Sequence, residues 1–124
     1  MLGDSTAMAC FSTNDIEKAK EFYGGTLGIA VSMEEDDSLV LDFAGDTHVL
    51  VYLKEDHVPA SHTVLLLSVA DVEAEAADLK ARGITLADLP YTDADGIARD
   101  ESMPPTAWFQ DPAGNWVAVG QLPS

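Results

Sequence analysis

Two stretches of this chain set apolar and polar residues in the same order, the second following the first at a fixed interval. Ser12-Thr13-Asn14-Asp15-Ile16-Glu17 has a counterpart in Ser68-Val69-Ala70-Asp71-Val72-Glu73, 56 positions further on. Each is preceded by a strand-like run and followed by apolar residues at helical spacing. In the first helix the stripe is Ile16, Ala19, Phe22, Tyr23 and Leu27, with Asn14 as the expected N-cap and Glu17 as its capping-box partner. Gly24-Gly25 and Gly28 are expected to end it. In the second helix the stripe is Val72, Ala76 and Leu79, Asp71 caps it, and Arg82-Gly83 supplies a basic last turn and a glycine stop.

Three strand patterns follow each helix. The first set is expected near 29–35, 38–44 and 48–53, with turns at Asp36-Asp37 and Gly45-Asp46; the second is expected near 84–91, 105–110 and 115–121. The final pair is the clearest. Between Trp108-Phe109-Gln110 and Trp116-Val117-Ala118, Asp111-Pro112 opens a turn with φ pre-set by the proline ring, and Gly114-Asn115 tolerates positive φ. Each half therefore reads β-α-β-β-β, with module 1 at about 6–54, a polar linker at 55–61 and module 2 at about 62–121. Residues 92–105, with Gly96 and Pro104-Pro105, read as a long acidic loop, a length that serves equally for binding or for a surface excursion.

A chain of 124 residues with 47% hydrophobic content fits one domain with its own core. Cys10 is the only cysteine, so no intramolecular disulfide can form and no zinc-type Cys/His spacing exists. No basic leader and no run near 18 apolar residues appears, so neither export nor membrane insertion is signalled and the cytoplasm is the default location. The balance of 22 acids against 6 bases gives a net charge of −16, which repels a nucleic-acid backbone. Such a surface could draw in a cationic small molecule, although solubility or a saline cytoplasm is the plainer explanation. No GxSxG, phosphate loop or HExxH pattern supplies a catalytic signature.

The doubled βαβββ plan, the Asp-initiated helix with Phe22-Tyr23 before Leu27-Gly28, and the closing run Trp108-Phe109-Gln110-Asp111-Pro112-Ala113-Gly114-Asn115 resemble the vicinal oxygen chelate superfamily. That superfamily includes glyoxalase I, extradiol dioxygenases, fosfomycin-resistance proteins and bleomycin-binding proteins. The resemblance spans about 6–121 and implies an α+β fold in which two modules form a curled mixed sheet around a cavity, commonly in a homodimer. It also implies a divalent metal held from the first and last strands of each module. Carried over by spacing from the helix-starting Asp, the first-strand positions are Met8 and Val64. The last-strand positions are Ala118 and, by the best match, Tyr52. A hard divalent cation needs imidazole nitrogen or carboxylate oxygen, so this set reads as a lost metal site. His48 begins a strand, His57 lies in the linker, and His62 stands two residues before Val64, on its face if the chain is extended. His48, His62 or the acids of the 92–105 loop are therefore the alternative ligands for a noncanonical metal.

Alternation puts Met8, Cys10 and Ser12 on one strand face, and Val64, Leu66, Ser68, Trp116 and Ala118 join them if that face is the cup lining. With Tyr52, Met103 and Trp108 they form the candidate pocket, apolar with aromatic walls suited to a flat molecule. The same pattern fits residues that merely fill a core. Cys10 has no basic neighbour in sequence to activate its thiol. The expectation is a metal-independent protein, without cofactor, that binds a small hydrophobic or aromatic compound, a cationic one being the case the charge would favour. The rival expectation is a lyase, isomerase or extradiol-type dioxygenase with a noncanonical metal, and a structural subunit without a cavity is the third.

Overall fold

A computed structural model describes residues 1–122 of the chain. It divides into two compact units, Met1–Val58 and a second beginning at Pro59. Each contains one four-stranded mixed sheet with helical cover, an α+β arrangement.

In the first unit the elements are β1 (Ala9–Thr13), α1 (Ile16–Lys20), β2 (Ala30–Met33), β3 (Leu39–Phe43) and β4 (Thr47–Leu53), with sheet order β1-β4-β3-β2. β1 runs parallel to β4, and the other pairs are antiparallel. Alternation sorts the side chains as the pattern predicts. Phe11, Leu39, Leu41, Val49 and Val51 are buried on one face, together with Ala19 and Tyr23 of the helical segment. The Tyr23 ring, 0% exposed, lies 6.0 Å from Phe11 and 5.1 Å from Phe22. Two of these three rings, Phe11 and Tyr23, are buried, and their removal from water stabilises this unit.

Two expectations for the first helix are corrected. The N-cap is Asp15, whose side chain accepts from Lys18 N at 3.1 Å, and not Asn14. Asp15 has the extended φ/ψ a cap needs, and its own N–H is taken by the Thr13 hydroxyl at 3.3 Å. Nor do Gly24-Gly25 end the helix. The chain widens into a π-helical segment over Glu21–Thr26, with Leu27 N bonded to Phe22 O, and turns away only at Gly28, where φ is 72°. Gly24 serves close packing instead: a Cβ there would stand 3.0 Å from Val31 Cγ2 on β2.

The second unit contains β5 (Thr63–Ser68), α2 (Val72–Ala81), β6 (Ile97–Ala98), β7 (Thr106–Gln110) and β8 (Trp116–Gly120), ordered β5-β8-β7-β6. Val72, Ala76 and Leu79 are the buried stripe of α2, and Asp71 caps it through Glu73 N and Ala74 N. The strand expected over 84–91 does not form. Pro90 has no N–H to donate to a ladder, and this segment meets the sheet through Ala87 N donating to Trp108 O at 2.8 Å. The edge position is filled from within the expected loop, by Ile97 and Ala98 pairing with β7. The Asp93 carboxylate, accepting from Asp95 N and Ile97 N, makes the tight turn that aims Ile97 into the core.

The β7–β8 hairpin closes as expected. Asp111 Oδ1 accepts from Ala113 N and Asn115 N, each at 2.9 Å, and Oδ2 from Asn115 Nδ2 at 3.0 Å, with both side chains buried. Gly114 has φ 83°, and a Cβ there would press on Pro59 at 3.2 Å. Among the described residues, no helix is long and apolar enough to cross a membrane.

Candidate functional site

Because one face of each sheet is filled by its helical segment, the side chains of opposite alternation form a second, open face. In the first unit that face carries Cys10 and Ser12 of β1, Leu50 and Tyr52 of β4, and Val40 and Asp42 of β3. Register pairs Cys10 with Leu50 and Ser12 with Tyr52. Met8, just before β1, is 51% exposed, and Tyr52 and Cys10 are also open to solvent. The structure thus brings Met8, Cys10, Ser12 and Tyr52 to one unit's open face.

Two histidines meet this unit's polar groups in ways the sequence did not show. His57 Nδ1 shares a 2.6 Å hydrogen bond with Ser12 Oγ, which ties the end of the first unit back to β1. His48 stands between two carboxylates, with Nδ1 2.7 Å from Asp42 Oδ1 and Nε2 3.0 Å from Asp46 Oδ1. Hydrogen bonds to Asp42 first and Asp46 second hold its imidazole above the usual histidine range. In its protonated form both ring nitrogens donate, one to each carboxylate.

In the second unit the open face carries Leu66, Ala118, Trp108 and Trp116. Ala118 is the register partner of both Leu66 and Trp108 and is only 2% exposed, whereas Leu66 is 50% exposed. Trp108 Nε1 donates to Thr63 Oγ1 at 3.2 Å, and its ring meets Tyr91 edge-to-face at 5.5 Å. Tyr91, 55% exposed, was absent from the sequence-derived pocket because it sits at the end of the strand that does not form. Its one signal was Pro90, which takes the chain out of any ladder just before it.

Three candidates are placed elsewhere. A register shift between Thr63 and Leu65 makes Thr63, not Val64, the partner of Trp116, so strict alternation through Val64 fails at this bulge. Met103 lines a groove of about 910 Å³ with Ser68, Glu101, Pro104 and Gln121, at the ends of β5 and β8 away from Trp116. His62 lies outside β5, exposed to solvent.

A thioether, an isopropyl group, a phenol and a methyl at Met8, Val64, Tyr52 and Ala118 are not a donor set for a divalent cation. Among the described residues, no group of three or more His, Cys, Asp or Glu side chains is arranged to hold one. The residues present do not fit the metal that the resemblance implies.

Comparison with known proteins agrees with the architecture. Residues 6–119 match the family model of the Glyoxalase/Bleomycin resistance protein/Dioxygenase superfamily. Among solved structures, the chain is similar to TnmS3, an antibiotic binding protein from Streptomyces sp. CB03234, at 29% identity over 98% of each chain with a TM-score of 0.70. A glyoxalase/bleomycin resistance protein from the same organism is 30% identical over 93% of this chain and 100% of its own, with a TM-score of 0.64. Lactoylglutathione lyase from Agrobacterium tumefaciens shares the fold at 17% identity, covering 94% of this chain and 92% of its own, with a TM-score of 0.68. No curated protein matches. With its duplicated βαβββ plan matched almost end to end, the chain belongs to the glyoxalase/bleomycin resistance protein/dioxygenase superfamily.

Proposed function

We propose that this protein binds a small hydrophobic or aromatic compound without a metal and acts by sequestering or carrying it. The observation that carries this reading is the aromatic surface of the second sheet's open face. There Leu66, Tyr91 and Trp108 offer rings and aliphatic groups to solvent, and the Trp108 indole is held in place by Thr63. Exposed apolar surface of this kind has a standing gain from covering itself, and a rigid edge-to-face pair presents flat walls to a flat ligand. The similarity to an antibiotic-binding protein over nearly the whole length supports binding over turnover. So does the donor chemistry at the positions where relatives of the superfamily hold a metal.

Tryptophan fluorescence tests the reading directly, since Trp108 and Trp116 are the only tryptophans and both belong to this sheet face. Titration with aromatic antibiotics is expected to quench it. At a ligand concentration of about 100 Kd, native-state stability should rise by about 2.7 kcal/mol. Trp108→Ala should remove most of both effects, and the compound should be recovered unchanged. Stoichiometric zinc, iron or manganese in the purified protein, with a turnover abolished by chelation, would overturn the reading in favour of an enzyme. The homodimer implied by the superfamily resemblance belongs to the same proposal, and sedimentation equilibrium measures it.

A further inference from the structure

Tyr91 reaches the second unit's open face from the span between α2 and β6. Ala87 N donates to Trp108 O near the start of that span, and β6 pairs with β7 at its end. Between these anchors the chain makes two successive turns. In the first, Thr92 N donates to Leu89 O at 3.1 Å and the Thr92 hydroxyl accepts from Leu89 N at 2.9 Å, with Pro90 at the position whose fixed φ suits a turn. Tyr91 follows Pro90, so its ring meets Trp108 as a side chain of this turn. In the second, Gly96 N donates to Asp93 O at 3.0 Å, and Thr92 forms an isolated bridge with Ala98. Gly96 has φ 84°, and a Cβ there would stand 3.0 Å from Leu86 Cβ, so this turn lies close on the chain that leaves α2.

The stretch from Asp88 to Gly96 carries three aspartates and no base, and the first turn of α2 holds Glu73 and Glu75. In a chain of net charge −16 two such elements repel each other unless a cation joins them. Arg99 is that cation. Its Nε donates to Asp93 Oδ2 and its Nη2 to Glu73 Oε1, each at 2.7 Å. A guanidinium can hold two carboxylates at once because its donors diverge in a plane. Asp93 Oδ1 accepts from Asp95 N and Ile97 N, so one carboxylate closes the turn with one oxygen and is pinned to Arg99 by the other. The Ile97 backbone N–H first, and the Arg99 side chain second, hold this carboxyl below its ordinary range. Lys80, in the last turn of α2, lines a groove under the span with Asp88 and Asp95, but among the described residues no ion pair involves it. A continuous series of bonds and contacts therefore runs from Glu73 on α2 through Arg99, Asp93 and Thr92 to Tyr91 and Trp108.

From this series we infer that Arg99 is a positioning residue for the aromatic surface: by clasping the Tyr91 span to α2 it sets the Tyr91 ring against Trp108, and so makes the binding of an uncharged ligand depend on an ion pair that the ligand does not touch. An exposed ion pair adds little to folding, but this one acts on where a ring stands. The inference rests on the small-molecule reading above and adds a group that controls the same surface from outside it.

Titration of the full chain with N-phenyl-1-naphthylamine, an uncharged fluorescent aromatic, tests it beside NMR of the free protein. Arg99→Gln should bind the probe about three- to fivefold more weakly than the parent. Without any probe, the cross-peak between the Tyr91 and Trp108 ring protons should weaken in the same variant. Lys80→Gln makes the same change in net charge beside the same span and should bind as the parent does. In a Tyr91→Ala background, Arg99→Gln should cause no further loss, because the ring through which it acts is gone. Raising ionic strength from about 0.1 to about 1 M shortens the Debye length from about 10 to about 3 Å and should narrow the gap between parent and Arg99→Gln. An unchanged ring cross-peak in Arg99→Gln, an equal loss of affinity with and without Tyr91, or an equal loss in Lys80→Gln would overturn the inference. If the parent binds the probe and Arg99→Gln binds it as tightly, the inference fails and the small-molecule reading stands. If the probe binds neither protein and aromatic antibiotics leave the tryptophans unquenched, both fail.

Discussion

The β3–β4 and β7–β8 hairpins close the same step of a repeated plan by opposite means. In the second unit the turn is buried, and a carboxylate with its hydrogen bonds made inside the loop, Asp111, organises it with Asn115. In the first unit the turn lies in water. Asp46 takes a left-handed conformation at φ 58°, and the exposed His48 ring bridges it to Asp42. A buried acceptor is costly to leave unpaired and so becomes structurally necessary, whereas an exposed ion pair trades with solvent at little gain. The duplicated architecture therefore leaves each half free to put different chemistry at equivalent places: charge on the first sheet's open side, aromatic surface on the second's.

Equivalent core positions should give the largest effects. Tyr23 and Leu79 stand 56 positions apart in the repeat, and both pack under a helical segment. Tyr23→Ala is expected to cost about 4 kcal/mol and Leu79→Ala about 3 kcal/mol in urea unfolding. If Tyr23→Ala is much the milder, the aromatic cluster with Phe11 and Phe22 is not the first unit's main support.

Next come the two turns. Asp111→Ala should lower stability by about 3 kcal/mol, since it orphans buried backbone N–H groups. Asp46→Ala should leave the unfolding midpoint close to that of the parent. Similar losses in both variants would break the contrast between a buried and a solvated turn.

A smaller change tests the aromatic face. Thr63→Val removes the acceptor of Trp108 Nε1 and should cost about 1 kcal/mol, with a shift in tryptophan emission as the indole N–H turns to water.

The smallest effect expected is the pH dependence of the His48 clamp. Asp42 and Asp46 raise the folded-state pKa of His48 above its ordinary value. Its contribution is therefore fully present below the unfolded-state pKa of about 6.5 and is lost as pH rises through the folded value. His48→Gln should flatten the stability profile across that window, read as the thermal midpoint against pH. An unchanged slope would mean the two carboxylates do not hold the ring charged.

The alternation of apolar residues and the paired aspartates carried most of the architecture. Period-two runs placed β1, β2, β3, β4, β7 and β8, and the stripe of Val72, Ala76 and Leu79 placed α2 with its Asp71 cap, because backbone periodicity and capping are local properties. The candidate pocket was less visible. Alternation put Cys10 and Ser12 on one strand face, with Leu66, Trp116 and Ala118 on its counterpart, but a bulge moved Val64 out of phase and Tyr91 came in from a strand that Pro90 prevents.

By itself, then, the chain determined the repeated strand-and-helix plan and the closing hairpin, both of which depend on residue type and near-neighbour spacing. Only the tertiary structure decided that Asp15 rather than Asn14 caps α1, that the helix widens over Glu21–Thr26, and that Ile97-Ala98 takes the sheet edge. It also decided that His48 is shared by Asp42 and Asp46, and that Arg99 bridges Asp93 and Glu73. The physical reason is common to these cases: each is a contest between locally similar options, settled by which side chain can be buried or paired once the strands are in register.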